Sequence, residues 1–488
     1  MRIRCPKLSA RSRLGCFAAM AVLAAVLAAC SGTDTVLTSG TGTIHVSLTD
    51  PPSCKVPHGQ FEHVYVTIRS VQAHTNANAP DNSAGWQELT PQLNNTPMQI
   101  DLLAAGPSSC LLATLGSNSA LPAGNYQQIR LLLVPNDGGS GPLPATNQCA
   151  GHGFNCAELQ DGSIQELLLS SQANTGLKIP PGQIVGGPIS VESGEEVDLN
   201  IDFNTCASII QQGDGQYRLN PTLTAGQVST TDTSISGQVV DEATQLPIVG
   251  GTVLVALEQP DGTGADVILQ QTAADSSGRF RFCPLSPGIT FDIVAVAING
   301  ADVAYNATVA VGVPSGTDLD RVPLNAETGT ETGPATLQGF VTASTGASVA
   351  TIDASVFALQ TISLGGSVTR PVTIPAQSGS TPNISVESET SCPADAPADA
   401  NCAEYILIEP ASNPRVGIFS AGAILYSPPP GGDVFYSVRA DAEIPLSGGV
   451  STCTPSSKTT TLDSNGDPLK ATPSTTVRPA NLDFTGCS

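Results

Sequence analysis

Val197–Phe203 reads VDLNIDF. Val197, Leu199, Ile201 and Phe203 alternate with Asp198, Asn200 and Asp202, so an extended chain puts four apolar side chains on one face and three polar ones on the other. A period of two marks a strand with one face in a core and the other in water. The pattern recurs upstream. Thr43–Leu48 places Ile44, Val46 and Leu48 together, and FEHVYVTIRSV at 61–71 alternates Val64, Val66 and Ile68 with Tyr65, Thr67 and Arg69. Met98–Leu103 and Tyr126–Val134 behave alike. The connectors DPPS (50–53), LPAGNY (121–126) and PNDGGSG (135–141) are built from turn formers. Ser109–Leu115 reads as a short helix. The expected fold class is all-β, with tandem β-sandwich domains after a cleaved lipoprotein signal peptide.

The signal peptide is read from the N-terminus. Arg2, Arg4, Lys7, Arg11 and Arg13 precede the uncharged run CFAAMAVLAAVLAA at 16–29. That run is short of the ~20 apolar residues a membrane-spanning helix needs, and a basic region, an apolar region and small residues in that order form a secretory signal. Leu27-Ala28-Ala29-Cys30 resembles the bacterial lipobox, which implies cleavage before Cys30 and lipidation of its thiol. Ser31 follows, where Asp would signal inner-membrane retention. The expected location is therefore the cell envelope, anchored by lipid in the outer membrane.

Cleavage removes five basic residues and no acids, so 14 Lys+Arg face 42 Asp+Glu, a net charge of −28. Such a chain repels nucleic acid and anionic lipid heads. The acids are dispersed, as on an ordinary solvated surface. At 40% hydrophobic residues the 488-residue chain can form cores, and its length predicts about three domains. Ten cysteines follow Cys30: Cys54, Cys110, Cys149, Cys156, Cys206, Cys283, Cys392, Cys402, Cys453 and Cys487. An even number in an exported chain suggests disulfides, although counting fixes no connectivity. Proximity suggests Cys149 with Cys156 and Cys392 with Cys402, the latter bracketing PADAPADAN, and Cys453 with Cys487 as a closure of the last domain.

Two stretches carry family resemblances. TIHVSLTDPPS (43–53), FEHVYVTIRSVQAH (61–74), Trp86, QIDLLAAG (99–106), LPAGNYQQIRLLLVPN (121–136), VESGEEVDLNIDF (191–203) and YRLNPTL (217–223) occur in an order that resembles the bacterial domain of unknown function numbered 4382, across 42–228. That family implies no activity. The resemblance favours Cys54 pairing with Cys206; the rival joins Cys54 to Cys110 and leaves Cys206 to Cys283. Residues 137–165 read as an insertion. SISGQVVD (234–241), LPIVGGTVLVAL (246–257), TAADSSGRFRF (272–282) and LSPGITFDIVAVA (285–297) resemble the carboxypeptidase regulatory-like domain, which implies a transthyretin-like seven-stranded sandwich over 233–325 without peptidase residues. The expected organisation is a signal peptide (1–29), the lipidated cysteine and tether (30–41), these two domains, a linker at 326–334, and a C-terminal β-rich domain (335–488). In the last, strands are expected at Ala354–Leu359, Tyr405–Glu409, Val416–Ser420 and Val434–Arg439, with a partly irregular tail at 454–480.

Catalytic signatures are weak. Gly417–Gly422 (GIFSAG) has one residue too many for a nucleophile elbow, and no phosphate loop or dinucleotide fingerprint is present. The histidines are His45, His58, His63, His74 and His152. Cys54, His58 and His63 resemble zinc ligands only if Cys54 is reduced, so no metal site is expected. Asp463-Ser464-Asn465-Gly466-Asp467 starts like a calcium loop without its later Glu, and a turn is the better reading. No catalytic residue and no cofactor is expected. Trp86, the only tryptophan, is a candidate ligand platform, although packing is the stronger reading and 4% aromatics argue against polysaccharide stacking. The function expected is a non-catalytic envelope lipoprotein, a surface or periplasmic spacer, adhesion or interaction module with an unidentified protein or glycan partner. The alternatives are a carbohydrate or other envelope-ligand binding protein, and a hydrolase with an unrecognised site.

Overall fold

The computed structural model describes residues 40–49, 60–104, 112–169, 176–179, 183–185, 187–212, 215–219, 222–228, 233–261, 263–283, 285–388, 392–446 and 449–487. Cys30, Cys54, His58 and Cys110 lie outside the described residues, as does the side chain of Cys206. The described chain is all-β but for one turn of helix at Thr205–Ser208. No helix among the described residues is long and apolar enough to cross a membrane.

Three hydrophobic cores organise the strands. The first runs from Ile44 to Ala225. One of its sheets has the order Ile184–Val185, Thr222–Val228, Glu196–Asn204, Thr41–Thr49, Ala113–Pro122. Thr41–Thr49 and Glu196–Asn204 are parallel neighbours, Ile44 opposite Val197 and Leu48 opposite Ile201, so their alternating apolar residues enter the core side by side. The expected helix at Ser109–Leu115 is corrected. Residues 105–111 lie outside the described residues, and Ala113–Leu115 begin a strand, because Leu112 N–H donates to Leu48 O (2.8 Å) and Ala113 pairs with Leu48. Across the core, Phe61–His74 pairs on one side with Gln128–Leu133 and Cys156–Leu159 and on the other with Met98–Asp101 and Gln87–Glu88.

The outer face of Val197–Phe203 departs from the alternation. Asn200 and Asp202 are buried, not in water. Residues Leu257, Leu269, Leu285, Ser286 and Phe291 of the middle segment close over them, leaving a cavity of about 30 Å³. That is room for about one water.

The middle segment is a sandwich of three strands (Arg279–Phe282, Ile235–Asp241, Asp318–Leu324) on four (Asp266–Ala273, Thr252–Pro260, Thr290–Ile298, Ala304–Pro314). Gly278 closes the hairpin before Arg279. Its φ is +74°, and a Cβ there would collide with Val239 O, so only glycine fits without strain. In the four-stranded sheet both faces are covered. Val253, Val255 and Leu257 enter the middle core while Leu254 and Ala256 enter the third; Ile293 and Ala295 likewise alternate with Val294 and Val296. Continuous apolar runs such as VLVAL and IVAVA are what a doubly covered sheet requires.

In the last segment, Ala335–Ala343 pairs along its whole length with Asn401–Glu409, and Ile352–Gly365 pairs with Val368–Ile374, Asn383–Val386 and Ser437–Leu446. The tail is ordered at its start, where Gly449–Thr460 is a strand on Ser437–Leu446, and beyond Thr460 it holds only the two-residue strands Lys470–Ala471 and Thr476–Val477 before 480. Strand pairing crosses between segments. Thr308–Val311 runs parallel to Arg415–Ile418, Asp266 pairs with Val372, and Gln211 pairs with Ile384. The stretch expected as a linker is hydrogen-bonded too: Glu327 N–H donates to Ala304 O and Ala304 N–H to Thr332 O, each at 2.8 Å. Disulfides join Cys149–Cys156, Cys392–Cys402 and Cys453–Cys487. Cys283 is also disulfide-bonded.

Candidate functional site

The outer face of Phe61–His74 carries the site. Its apolar positions change phase midway. Val64, Val66 and Ile68 face the core, and after them Val71 and Ala73 do. The register shows why: Ile68 lies opposite Leu133 and Ser70 opposite Leu132, so Arg69 is the extra residue of a β-bulge. A bulge bends the strand and re-aims its side chain. Beyond it, Ser70 and Gln72 share the outer face with Arg130 of Gln128–Leu133, which lies opposite Gln72.

The stretch 137–165, expected as an insertion, walls this face. Cys149–Cys156 closes its loop, and the buried Asn155 pins it down, accepting from Thr67 N–H (2.9 Å) and donating to Val134 O (2.8 Å). The result is a cleft of about 380 Å³, lined by Arg69, Ser70, Gln72, Asn94, Arg130 and the glycine-rich turn Pro135–Pro142. The volume is within the range of small-molecule pockets.

The two arginines of the cleft differ. Arg130 Nε and Nη2 donate to Gln72 Oε1 (2.9 and 2.6 Å), Nη1 donates to Asp81 O (2.9 Å), and the guanidinium lies 4.1 Å from the centre of the Trp86 ring. Burial lowers its pKa; Asp81 and Glu88 oppose that, and Arg69 adds to it. Arg69 makes no hydrogen bond or ion pair among the described residues, and its Nε is buried without a partner. Trp86 is half-buried, with Arg130 on its face, the His74 ring edge-on to it with ring centres 5.3 Å apart, and its indole N–H donated to Pro80 O (3.0 Å). It braces Arg130, and its N–H is already committed.

Other candidates resolve into structural roles. His74 Nε2 lies 2.9 Å from Ser83 Oγ, a contact of the kind a hydrolase uses. Asn76 N–H, however, donates to Nδ1 (2.9 Å), so the ring proton sits on Nε2 and points at the serine. That histidine cannot take the serine proton. His63 Nδ1 meets Asp101 Oδ2 at 2.7 Å, and His45 meets Glu196. His152 is exposed in the Cys149–Cys156 loop. Asp463 turns its carboxylate on its own loop, accepting from Asn465 and Asp467 N–H (2.8 and 3.0 Å), as a turn does. Ser420 ends a hairpin strand before the Ala421–Gly422 turn. No group of three or more His, Cys, Asp and Glu side chains among the described residues is arranged to hold a metal.

Four further arginines sit where segments meet. Arg218 pairs with Asp353. Arg370 Nη1 meets Asp266 (3.1 Å) and Asp292 (2.5 Å), Arg415 meets Glu242 (3.1 Å), and Arg439 meets Asp261 (2.6 Å). Each joins residues of two different segments. Beside Arg370, burial raises the pKa of Glu258 and of Asp266, and their mutual repulsion adds to the shift of Glu258.

These features define an all-β protein with several cores and a basic cleft in its first segment. Residues 41–221 match the family model described as Domain of unknown function (DUF4382), the family that 42–228 resembles. No curated protein matches the chain. Among solved structures, it aligns with the Bacillus anthracis TIE protein at 7% identity and a TM-score of 0.15, covering 91% of this chain and 51% of that one, about half its length. The streptococcal ancillary pilin aligns at 8% identity and 0.16, covering 80% and 96%. Shaft pilin SpaA from Lactobacillus rhamnosus GG aligns at 9% and 0.18, covering 60% and 99%. Scores this low carry no argument about function.

Proposed function

We propose that this chain is a non-catalytic interaction module displayed on a bacterial envelope and held there by lipid on Cys30. The observation that carries the reading is the joining of its segments. Strand pairs run from one segment to the next, and four arginines reach from one segment to carboxylates of another. Such joints suit a scaffold that holds a binding face at a fixed place. The disarmed His74–Ser83 contact supports the absence of hydrolase chemistry. The seven strands of 233–325, three on four, support an accessory regulatory-like sandwich there.

The anchor is tested in cells. Full-length protein should label with a palmitate analogue, fractionate with membranes and be shaved from intact cells by protease. Cys30→Ala should lose label and membrane association together, since stable anchoring needs more than one acyl chain. Membrane-bound, unlabelled Cys30→Ala protein would overturn the anchor, and resistance to shaving would overturn surface display.

A further inference from the structure

We propose that the cleft between Arg69 and Arg130 binds a carboxylate-bearing sugar, with Arg69 taking the carboxylate. The inference rests on the interaction-module reading and names its ligand.

Three observations carry it. First, Arg69 is one of 14 basic residues against 42 acids in the mature chain, yet it has no anionic partner among the described residues. A half-buried guanidinium with an unmet donor is costly unless something else supplies the acceptor. Its planar fork suits two-point recognition of a carboxylate. Second, the fold is arranged to aim it. The β-bulge turns Arg69 out of the alternation, and the stapled insertion walls off about 380 Å³ in front of it. Third, polar groups of the rest of the lining suit hydroxyl groups: Asn94, Ser140 and the Gly138–Gly141 backbone. Glu88 accepts from Ser70 and Gln72 (2.7 and 3.3 Å) and acts on Arg130, and it forms no ion pair with Arg69.

The same lining argues against an extended acidic peptide. Peptides commonly add to an unpaired strand edge. Here Phe61–His74 is paired on both sides, and Gln128–Leu133 lies between it and Leu177–Ile179. The low aromatic content is no obstacle, because charge and hydroxyl contacts, not stacking, do the recognising.

Trp86 gives the readout. It is the only tryptophan, and Arg130 rests on its face. Detergent-solubilised mature protein is titrated with di-galacturonate while its emission is recorded. Saturable change is expected. Arg69→Ala should weaken binding at least about tenfold, the loss expected for one charge-assisted contact, and Arg69→Lys should fall between. Methyl-esterified di-galacturonate should bind as weakly as the alanine variant. Equal binding of the ester, binding of a glutamate-rich peptide or a sulfated disaccharide but not of the uronate, or no binding by any probe, would each overturn the proposal. If Arg69→Ala does not fold, Arg69→Lys and the ester decide. None of these outcomes depends on the Cys30 anchor, so failure here is separable from failure of the display reading.

Discussion

Arg370 faces two aspartates at once, while Arg69 faces none among the described residues. Both are arginines in a chain short of cations, and both are largely withdrawn from water. Arg370, Arg218, Arg415 and Arg439 sit between segments, each against a carboxylate of another segment. Arg69 sits within one segment, on a bulge, facing empty space. The first set has its charge answered inside the fold, so its role is complete without a ligand. The second is left incomplete by the fold. A buried pair need not add net stability, but breaking one is expensive because the surviving charge stays buried. The comparison therefore separates by mutation.

The largest effect is expected at Arg370. Arg370→Ala strands Asp266 and Asp292, which are 0% and 4% exposed, beside the buried Glu258. A loss of about 3–5 kcal/mol in a denaturant melt is expected. Asp266→Asn in the same background should recover part of it, because one fewer carboxylate is left unanswered. A loss below about 1 kcal/mol would mean that the junction does not depend on this cation.

A second test uses pH at the other junction. Asp202 is fully buried under the middle segment, and burial pushes its pKa up to about 7, opposed only by the Thr49 hydroxyl at 2.9 Å. The folded protein therefore holds a proton that the unfolded chain releases from about pH 4. The stabilising contribution is complete below that pH and is lost as pH rises through 7, at up to about 1.4 kcal/mol per pH unit. Asp202→Asn should remove this slope. An unchanged slope in urea midpoints between pH 5 and 7 would show that Asp202 is not the group responsible.

Asp202 also shows where the sequence stops being legible. VDLNIDF announces a strand and its inner face correctly, because alternation is local and each apolar residue must leave water. It cannot announce that Asn200 and Asp202 are covered, since the cover comes from Leu257, Ser286 and Phe291, far along the chain. VLVAL at 253–257 carries that information only as a missing alternation, the mark of a sheet with two cores. The cleft was partly readable. Val64, Val66 and Ile68 followed by Val71 and Ala73 is a change of phase that places a bulge at Arg69. Trp86 drew attention for its chemistry, but its place under Arg130 depends on the pairing of Gln72 with Arg130. The turn Pro135–Pro142 gave no sign of facing Arg69, because the fold of the insertion, with Asn155 and Cys149–Cys156, brings it there.

The smallest effect is the most informative. Arg69→Ala should leave the denaturant midpoint nearly unchanged, within about 0.5 kcal/mol. Its guanidinium makes no hydrogen bond to lose, and its removal relieves a repulsion felt by Arg130. Against that stands the lost packing of its aliphatic stem, a modest term at a half-buried position. Arg130→Ala, two bulge-shifted positions away on the neighbouring strand, should behave otherwise. It gives up the bonds to Gln72 and Asp81 and the cover of the Trp86 ring, and a cost of about 1–2 kcal/mol is expected. Equal costs for the two would make Arg69 a structural cation like Arg370, and the cleft a by-product of the insertion. A neutral Arg69→Ala beside a costly Arg130→Ala would leave Arg69 with no role in holding the fold together, as a residue kept for a ligand requires.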